Sequence, residues 1–377
     1  MKTSKLTFAA GTALLLSAAL TSCSNDDNEP KWDDEGSKIE LPDHRMFILN
    51  EGTQQLNNAN IALYDPETNV LTKDIFASQN GMNLGDTGQD MIRHDDNIYV
   101  SVYGSNYLAK LNAAGVEKGR VSFASDPELQ GKVRYLAAKG DHIYASFYGG
   151  VIAKINANTL EVEKKLSGLG NNIEGIAIAD SILYVANSYR HGDNGYEYLE
   201  DMYQISLNTL SLKGVFYVSP NPNQVLEADG KIFVISWGNY NDRGYEFQMV
   251  DPKLDNKVTV LATATKMGAG NDMIYLVNSV TDYSHWPETI TENTFFYYDI
   301  KAGKIVEKSF IDDPDNKLKN ESISMIEVDE QTGDIYIGAT NYSASNGKIY
   351  RISRSGSIIS EFDCGGQNPR TAVFFGR

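Results

Sequence analysis

Short apolar strands with an aromatic residue near their centre recur along this chain. Each copy follows a small polar turn and sets the aromatic residue between aliphatic neighbours, as in Ile98-Tyr99-Val100. The seven aromatic positions are Phe47, Tyr99, Tyr144, Tyr184, Phe233, Tyr275 and Tyr336. Their separations of 40 to 61 residues match one four-stranded blade of a β-propeller plus loops of variable length. The sequence shows no long helical periodicity that would favour another fold class.

The two ends of the repeat region complement each other. The first repeat has no apolar strand ahead of it, whereas residues 370–375 form an apolar strand that has no blade of its own. Pairing these two ends closes a ring and removes the exposed sheet edges that promote aggregation. The sequence therefore predicts an all-β fold, a seven-bladed β-propeller over residues 44–377 in which the C-terminal strand completes the first blade.

The repeated aromatic residues are expected to serve the fold. Because they recur in every blade, we predict that they pack between neighbouring sheets rather than contact a ligand. The inner strand of the sixth blade, Lys266–Gly270, is the weakest match to the repeat.

The first 22 residues have a different pattern. Lys2 and Lys5 precede an apolar segment, residues 8–20, that is too short to span a bilayer. The run Leu20-Thr21-Ser22-Cys23 resembles the lipobox of bacterial lipoproteins, in which a peptidase cuts before the cysteine and the cysteine is acylated. The resemblance implies a signal peptide at residues 1–22, lipidation of Cys23 and membrane attachment through the lipid alone. The alternative is an ordinary cleaved signal with an incidental cysteine.

Residues 23–43 link this cysteine to the first repeat. They are polar, acidic and poor in aliphatic side chains, so we predict a disordered tether. Asp26 and Asp27 resemble the acidic export signal that some Gram-negative lipoproteins carry just after the cysteine. This favours an outer-membrane protein exposed at the cell surface, and a periplasm-facing protein is the alternative.

The net charge limits the kinds of binding partner to expect, and the cysteine content bears on disulfide formation. The formal net charge of -17 becomes -19 when residues 1–22, which carry two lysines and no acidic residue, are removed. An acidic surface of this kind disfavours nucleic acid and anionic lipid. With Cys23 lipidated, Cys364 has no cysteine to pair with, and the domain is expected to fold without a disulfide.

A ligand site is expected on the propeller face that carries the longer loops, since the opposite face carries only short turns. These loops are rich in Tyr, Trp, Asn, Gln and Gly, which suits a bulky, weakly charged, hydrogen-bonding ligand better than a small anion. The candidate ligand-binding residues are Asn57, Tyr103, Asn106, Tyr148, Tyr189, Arg190, Trp237, Asn239, Tyr240, Arg243, Tyr283, Trp286 and Tyr342. Asn and Gly also build loops that bind no ligand.

The sequence offers little support for catalysis. Its five histidines lack metal-ligand spacing, and no Gly-x-Ser-x-Gly nucleophile motif is present. Four polar residues start inner strands, where a calcium ion or a solvated channel rim explains them equally well: Asp90, Glu174, Gln224 and Glu321. We therefore predict a binding protein that is not an enzyme, with no cofactor and no assigned metal ligand.

The phrase Phe47-Ile48-Leu49-Asn50-Glu51-Gly52 and the sevenfold Ile-Tyr-Val repeat resemble the YncE-like propeller lipoproteins of Gram-negative cell surfaces. The likeness covers nearly all of residues 44–377. Within that group, the chain looks most like the surface lipoproteins that capture vitamin B12 and pass it to an outer-membrane TonB-dependent transporter. The resemblance thus implies cobalamin or a related corrinoid as the ligand and such a transporter as the partner.

The loop residues are compatible with a corrinoid. Tyr and Trp suit the faces of a flat macrocycle, Asn and Gln suit its amide fringe, and Arg190 or Arg243 suits its phosphodiester. Two alternatives remain open at this point. The protein binds a glycan or another nutrient on the same surface, or it is an interaction module whose main partner is the transporter.

Overall fold

Seven antiparallel sheets account for most of the chain. The structure is a computed structural model that describes residues 32–284 and 289–376. The strands of the first three blades are β1 (Arg45–Asn50), β2 (Asn60–Asp65), β3 (Val70–Thr72), β4 (Gly88–His94), β5 (Asn97–Val102), β6 (Tyr107–Leu111), β7 (Glu117–Ser122), β8 (Val133–Lys139), β9 (His142–Phe147), β10 (Val151–Asn156) and β11 (Val162–Leu166). One short helix, α1 (Ile75–Asn80), follows β3.

The remaining blades repeat this plan. Their strands are β12 (Asn172–Ala179), β13 (Ile182–Gly192), β14 (Gly195–Tyr198), β15 (Asp201–Ser206), β16 (Ser211–Tyr217), β17 (Pro222–Ala228), β18 (Lys231–Ser236), β19 (Glu246–Asp251), β20 (Lys257–Ala262), β21 (Lys266–Gly270), β22 (Met273–Asp282), β23 (Ile290–Asp299), β24 (Lys304–Val306), β25 (Ile323–Val328), β26 (Ile335–Ala339), β27 (Lys348–Ile352), β28 (Ile358–Asp363) and β29 (Pro369–Phe375). A 3-10 turn, Pro252–Leu254, joins β19 to β20. Blade 4 differs from the others because β14 adds to β13 beside the four-stranded path.

The predicted closure of the ring is confirmed. β29 pairs antiparallel with β1, in the sheet order β29-β1-β2-β3, and Met46 lies opposite Phe374. The last strand of the chain is therefore the inner strand of the first blade. The weak sixth repeat is also a complete blade, with β21 as its inner strand.

Tight turns between the inner and second strands explain the small polar residues that precede each aromatic repeat. Five of these turns hold a residue in the left-handed region, with φ between 52° and 56°: Asp95, Gly140, Asp180, Asp229 and Asn271. Asp, Asn and Gly tolerate this conformation, and such turns match the twist of antiparallel strands. These short turns define one face of the propeller, and the longer loops define the other, which we call the loop face.

The repeated aromatic residues pack between blades, as predicted. Tyr99, Tyr144, Tyr184, Phe233, Tyr275 and Tyr336 are all between 0% and 3% exposed. The Tyr99 hydroxyl donates a hydrogen bond to the Ala157 carbonyl of the next blade at 2.7 Å. Burial of these rings supplies much of the apolar contact between neighbouring sheets.

The segment ahead of the first strand differs from our expectation. Residues 32–43, which we expected to belong to a disordered tether, lie in the same compact unit as the propeller. The Trp32 ring packs edge-on against the Phe375 ring, with 5.3 Å between the ring centroids. The Arg93 guanidinium lies 4.6 Å from the centroid of the Trp32 ring. Asp34 pairs with Arg45 at 2.7 Å. We call residues 32–43 the N-terminal latch. It lies beside the paired ends of β1 and β29, Arg45 and Phe375, where the other blades have their turn between inner and second strands, and so on the short-turn face.

The proposed signal peptide, lipobox and Cys23 lie outside the described residues. Within the described ranges, Cys364 is a free, buried thiol. None of the helices found there is long and apolar enough to cross a membrane.

Candidate ligand-binding site

A cleft opens on the loop face where blades 3, 4 and 5 meet. Its volume is about 270 Å³. We call it the aromatic cleft, because most of its wall is Tyr and Trp. Its lining residues are Arg134, Tyr148, Glu174, Tyr189, Tyr196, Tyr198, Asn221, Asn223, Trp237 and Tyr240.

An extended hairpin in blade 4 builds one wall of the cleft. β13 continues past its sheet partners and pairs with β14, so that Tyr189 lies opposite Tyr198 and His191 opposite Tyr196. Ring centroids of Tyr189 and Tyr196 are 5.5 Å apart, and those of Tyr198 and Tyr240 are 5.4 Å apart. Edge-on contacts of this kind link the hairpin to blade 5 and hold the rings in place.

Blade 5 contributes the opposite wall through Trp237 and Tyr240. The indole Nε1 of Trp237 is buried and has no hydrogen-bond partner in the part of the chain that the structure describes. A buried donor without a partner costs free energy, and a ligand acceptor would remove that cost. Burial raises the pKa of the Tyr148, Tyr189 and Tyr240 hydroxyls, which therefore remain protonated near neutral pH. The cleft thus offers apolar faces together with neutral donors.

A buried ion pair forms the floor. Glu174 is 2% exposed and accepts from Arg134 Nε at 3.1 Å and from Nη2 at 2.5 Å. The Tyr148 hydroxyl donates to the other carboxylate oxygen of Glu174. The Arg134 guanidinium lies 4.4 Å from the Tyr148 ring centroid and 5.3 Å from that of Tyr103. The two charges compensate each other, so the floor orients these tyrosines without giving the cleft a net charge.

The structure brings together four of the predicted site residues. Tyr148, Tyr189, Trp237 and Tyr240 line the aromatic cleft. Tyr103 lies beside it, with its ring centroid 6.0 Å from that of Tyr148.

The side chains of Asn106 and Asn239 form hydrogen bonds that hold loops together. Asn106 is 6% exposed, and its side-chain amide bonds Leu129 O at 3.0 Å and Val133 N at 3.1 Å. Asn239 Oδ1 accepts from the backbone N–H groups of residues 241, 242 and 243. Both amides are therefore used in building loops, and neither lines the aromatic cleft, so their contact with a ligand stays a prediction.

The two predicted arginines are paired with acidic residues. Arg190 Nε lies 2.5 Å from Glu197 Oε2 across the blade 4 hairpin. Arg243 Nη2 lies 3.3 Å from Ser219 Oγ and 3.5 Å from Glu246. Neither arginine lines the aromatic cleft.

Three further predicted residues are exposed outside the cleft, namely Asn57, Tyr283 and Tyr342. Tyr283 and Tyr342 are 65% and 67% exposed. Trp286 lies outside the described residues.

Six cleft residues were not among the predicted ligand-binding residues: Tyr196 and Tyr198 of the hairpin, Glu174 of the floor, and Arg134, Asn221 and Asn223. Each of the last three lies at or just before the start of an inner strand, where the loop face turns inward toward the axis. Their position in the repeat could have identified them, because Arg134 and Glu174 occupy corresponding positions in the inner strands of consecutive blades.

The inner strands surround a second cavity, which we call the axial channel, of about 360 Å³. Of the four residues considered as calcium ligands, Asp90 and Gln224 line it, together with Lys266 and Arg370. Glu174 instead pairs with Arg134, and Glu321 accepts from the Tyr350 hydroxyl at 2.8 Å. Over residues 32–284 and 289–376, no group of three or more His, Cys, Asp or Glu side chains is arranged to hold a metal ion.

A known family covers this propeller. The family described as Domain of unknown function (DUF5074) matches residues 44–364, which includes the cleft and most of the ring. The chain belongs to this family. The DUF5074 match begins at the residue before β1 and ends before β29, so the closing strand lies outside it. No curated protein matches the chain.

Solved structures share the fold of this DUF5074 protein. A quinonprotein alcohol dehydrogenase-like protein from Bacteroides thetaiotaomicron aligns with a TM-score of 0.62 at 17% identity, covering 88% of this chain and 78% of that one. Apo AztD from Citrobacter koseri aligns with a TM-score of 0.50 at 11% identity, covering 88% and 98%. The Pan2 WD40 domain of Neurospora crassa aligns with a TM-score of 0.51 at 9% identity, covering 72% and 78%. At these identities the likeness establishes the propeller fold alone.

Proposed function

We propose that this protein captures cobalamin or a related corrinoid on its loop face and delivers it to a TonB-dependent transporter of the outer membrane. The aromatic cleft carries the proposal. It combines the rings of Tyr189, Tyr196, Tyr198 and Tyr240 with the unpaired indole N–H of Trp237. The choice of ligand rests on the resemblance of the sequence to the vitamin B12-capturing surface lipoproteins.

The chemistry of the cleft favours a large ligand with little charge. Its charged floor residues, Arg134 and Glu174, neutralise each other, so a strongly ionic ligand gains little there. Aromatic faces stack on flat or apolar surfaces, while tyrosine hydroxyls and the indole donate to amide carbonyls of the kind that surround a corrin ring. A corrinoid is larger than the 270 Å³ cleft, so the cleft is proposed to hold one edge of the ring. The half-buried Tyr103 and the exposed Tyr283 and Tyr342 are available to cover more of it.

The cellular setting belongs to the same proposal. Lipidation at Cys23 would anchor the protein to the outer membrane, with the cell surface as the proposed location. The protein would act by binding and transfer, without catalysis.

Calorimetric titration of the purified protein with cyanocobalamin tests the proposal. We expect one-to-one binding, weakened at least about tenfold by Trp237→Ala and by Tyr240→Ala, because each removes a large contact surface of the cleft. Tyr217→Ala is the matched control, since Tyr217 is 67% exposed and does not line the cleft. Absence of heat and of a thermal shift with cyanocobalamin would refute the choice of ligand.

Glycan capture is the second candidate, and the same cleft supports it because tyrosine and tryptophan faces also stack on sugar rings. A mixed glycan set, titrated against the same three variants, distinguishes the two ligands. Binding of a glycan with loss on Trp237→Ala, and no response to cyanocobalamin, would assign the cleft to carbohydrate. Retention of a TonB-dependent transporter by the protein, when neither ligand binds, would identify an interaction module.

A further inference from the structure

The axial channel contains hydrogen-bond donors that the protein itself leaves unused. It lies between the inner strands, separate from the wall of the aromatic cleft, and three of its lining residues are Gln89, Lys266 and Arg370. The channel and the cleft meet at Arg134, whose Nη1 donates to Gln89 Oε1 at 2.6 Å.

Three groups in the channel have spare donor capacity. The Lys266 ammonium makes no hydrogen bond and no ion pair within the described ranges. Gln89 is 1% exposed, and its Nε2 has no partner among the described residues. The Tyr135 hydroxyl oxygen accepts from Arg370 Nη2 at 3.0 Å, and no described residue accepts the hydroxyl's own proton. A buried amide and a half-buried phenol and ammonium, all from residues that line one cavity, need acceptors.

The two carboxylates that line the channel, Asp90 and Glu327, already accept hydrogen bonds. Asp90 accepts from the backbone N–H of Leu136 at 2.8 Å and of Met91 at 3.0 Å. Glu327 accepts from the Thr371 hydroxyl at 2.8 Å. Glu51, which is not one of the lining residues, lies 3.0 Å from Arg370 Nη1. The channel therefore holds three donor groups with spare capacity beside two carboxylates that already accept hydrogen bonds, and charges of both signs are present.

We propose that the axial channel is a binding site for a small oxyanion, a carboxylate or phosphate, held by Lys266, Gln89 and the Tyr135 hydroxyl with Arg370 beside them. An oxyanion presents several acceptor oxygens to converging donors, and it supplies the negative charge that Lys266 lacks. This site is distinct from the aromatic cleft, and the proposal does not depend on the proposed binding of cobalamin.

The protonation of the channel residues favours an anion at mildly acidic pH. Burial lowers the pKa of Lys266 to about 8, with Arg370 adding to the effect and Glu51 opposing it. Burial also raises the pKa of Asp90 to about 6 and that of Glu327 to about 7. As the pH falls from 9 to 6, Lys266 gains its charge while the two carboxylates lose part of theirs. A guanidinium keeps its charge over this range, so Arg370, paired with Glu51, and Arg134, paired with Glu174, remain positive.

Titration of the purified protein with succinate, citrate and inorganic phosphate, at constant ionic strength set by chloride, tests the site. We expect at least one of these anions to bind, and Lys266→Met to weaken that binding by about tenfold or more. Lys301→Met is the matched control, because Lys301 is 75% exposed at its side chain and pairs with Asp272 away from the channel. Tyr135→Phe, which removes one donor and keeps the ring, should weaken binding by about threefold to tenfold.

The dependence on pH supplies a second readout. Succinate affinity should rise from pH 9 to pH 6, because the carboxylates of succinate stay largely ionised over this range while the channel becomes more positive. Trp237→Ala should leave the affinity unchanged, since Trp237 lines the cleft and not the channel. Equal binding by the wild type and Lys266→Met, or no binding of any of the three anions, would overturn the proposal. If the anions bind and cyanocobalamin does not, only the proposed function fails.

Discussion

Tyrosine serves two purposes in this protein, and the surroundings of each hydroxyl separate them. The repeated tyrosines are buried between blades, where Tyr99 has an acceptor for its hydroxyl and Tyr336 has none among the described residues. The tyrosines of the cleft and the loop face keep their rings accessible to ligand. Residue type alone therefore does not distinguish a structural tyrosine from a candidate ligand contact, whereas its place in the repeat does.

This difference between two buried hydroxyls leads to a stability prediction. Tyr99→Phe should lower the free energy of unfolding by about 1–2 kcal/mol, because it removes the bond to the Ala157 carbonyl and leaves that carbonyl unpaired. Tyr336→Phe should be neutral or stabilising, because the hydroxyl it removes is buried without a partner within residues 32–284 and 289–376. Urea unfolding of both variants measures the difference. Equal losses in the two variants would contradict this account of the hydroxyls.

At the scale of strands and segments, the strands could be predicted from the sequence, whereas the contacts between different strands could not. The seven aromatic strands are predicted by the spacing of the repeat, and the closing strand by its position after the last blade, because every blade packs against its neighbours in the same way. The Arg134–Glu174 pair joins the starts of two inner strands that are 40 residues apart, and nothing in the local sequence fixes which starts converge. The N-terminal latch was misassigned because its mean composition is that of a tether, although Trp32 is an aromatic residue that a tether does not need.

The latch should contribute measurably to stability. Trp32→Ala removes a ring that contacts Phe375 and Arg93, and Trp32 is only partly buried, so we expect a loss of about 1–3 kcal/mol. Ile39→Ala, in the same segment but at a side chain that is 36% exposed, is the control and should cost less than about 1 kcal/mol. Thermal and urea unfolding provide the measurement, and limited proteolysis would show whether residues 32–43 become accessible. A Trp32→Ala variant as stable as the wild type would show that the latch contributes nothing to the fold.

At the scale of the whole molecule, the ring brings ionisable residues from different blades into one channel. Asp90, Lys266, Glu327 and Arg370 come from blades 2, 6, 7 and 1 and meet only because the ring closes. Their altered pKa values are therefore a property of the assembled propeller. Stability should depend on pH through these groups, since an unfolded chain would titrate them near their ordinary values.

Among these groups, Glu327 gives the clearest prediction of how stability depends on pH. Burial raises its pKa from 4.5 to about 7, so its protonated form stabilises the fold, fully below pH 4.5, and this contribution is lost as the pH rises through 7. Glu327→Gln mimics the protonated form. It should raise the free energy of unfolding by about 1–3 kcal/mol at pH 8, allowing for solvent in the channel, and change it little at pH 4.5. Glu161→Gln, at an exposed position, is the control and should have no effect at either pH. A gain that is the same at pH 4.5 and pH 8 would exclude the titration of Glu327 as its cause.

The pairing of β29 with β1 also sets the order in which the molecule is completed in time. Arg45 and Phe375 are partners, yet 330 residues separate them along the chain. At translation rates of about 5–20 residues per second, β1 waits roughly 20–60 seconds for the strand that covers its inner edge. During that interval the backbone of Met46 to Leu49 has no strand paired on the side that β29 will occupy, and the completion of later blades does not cover this edge. The protein therefore becomes a closed ring in one late step, and a nascent chain lacking only its last few residues would still have an open first blade.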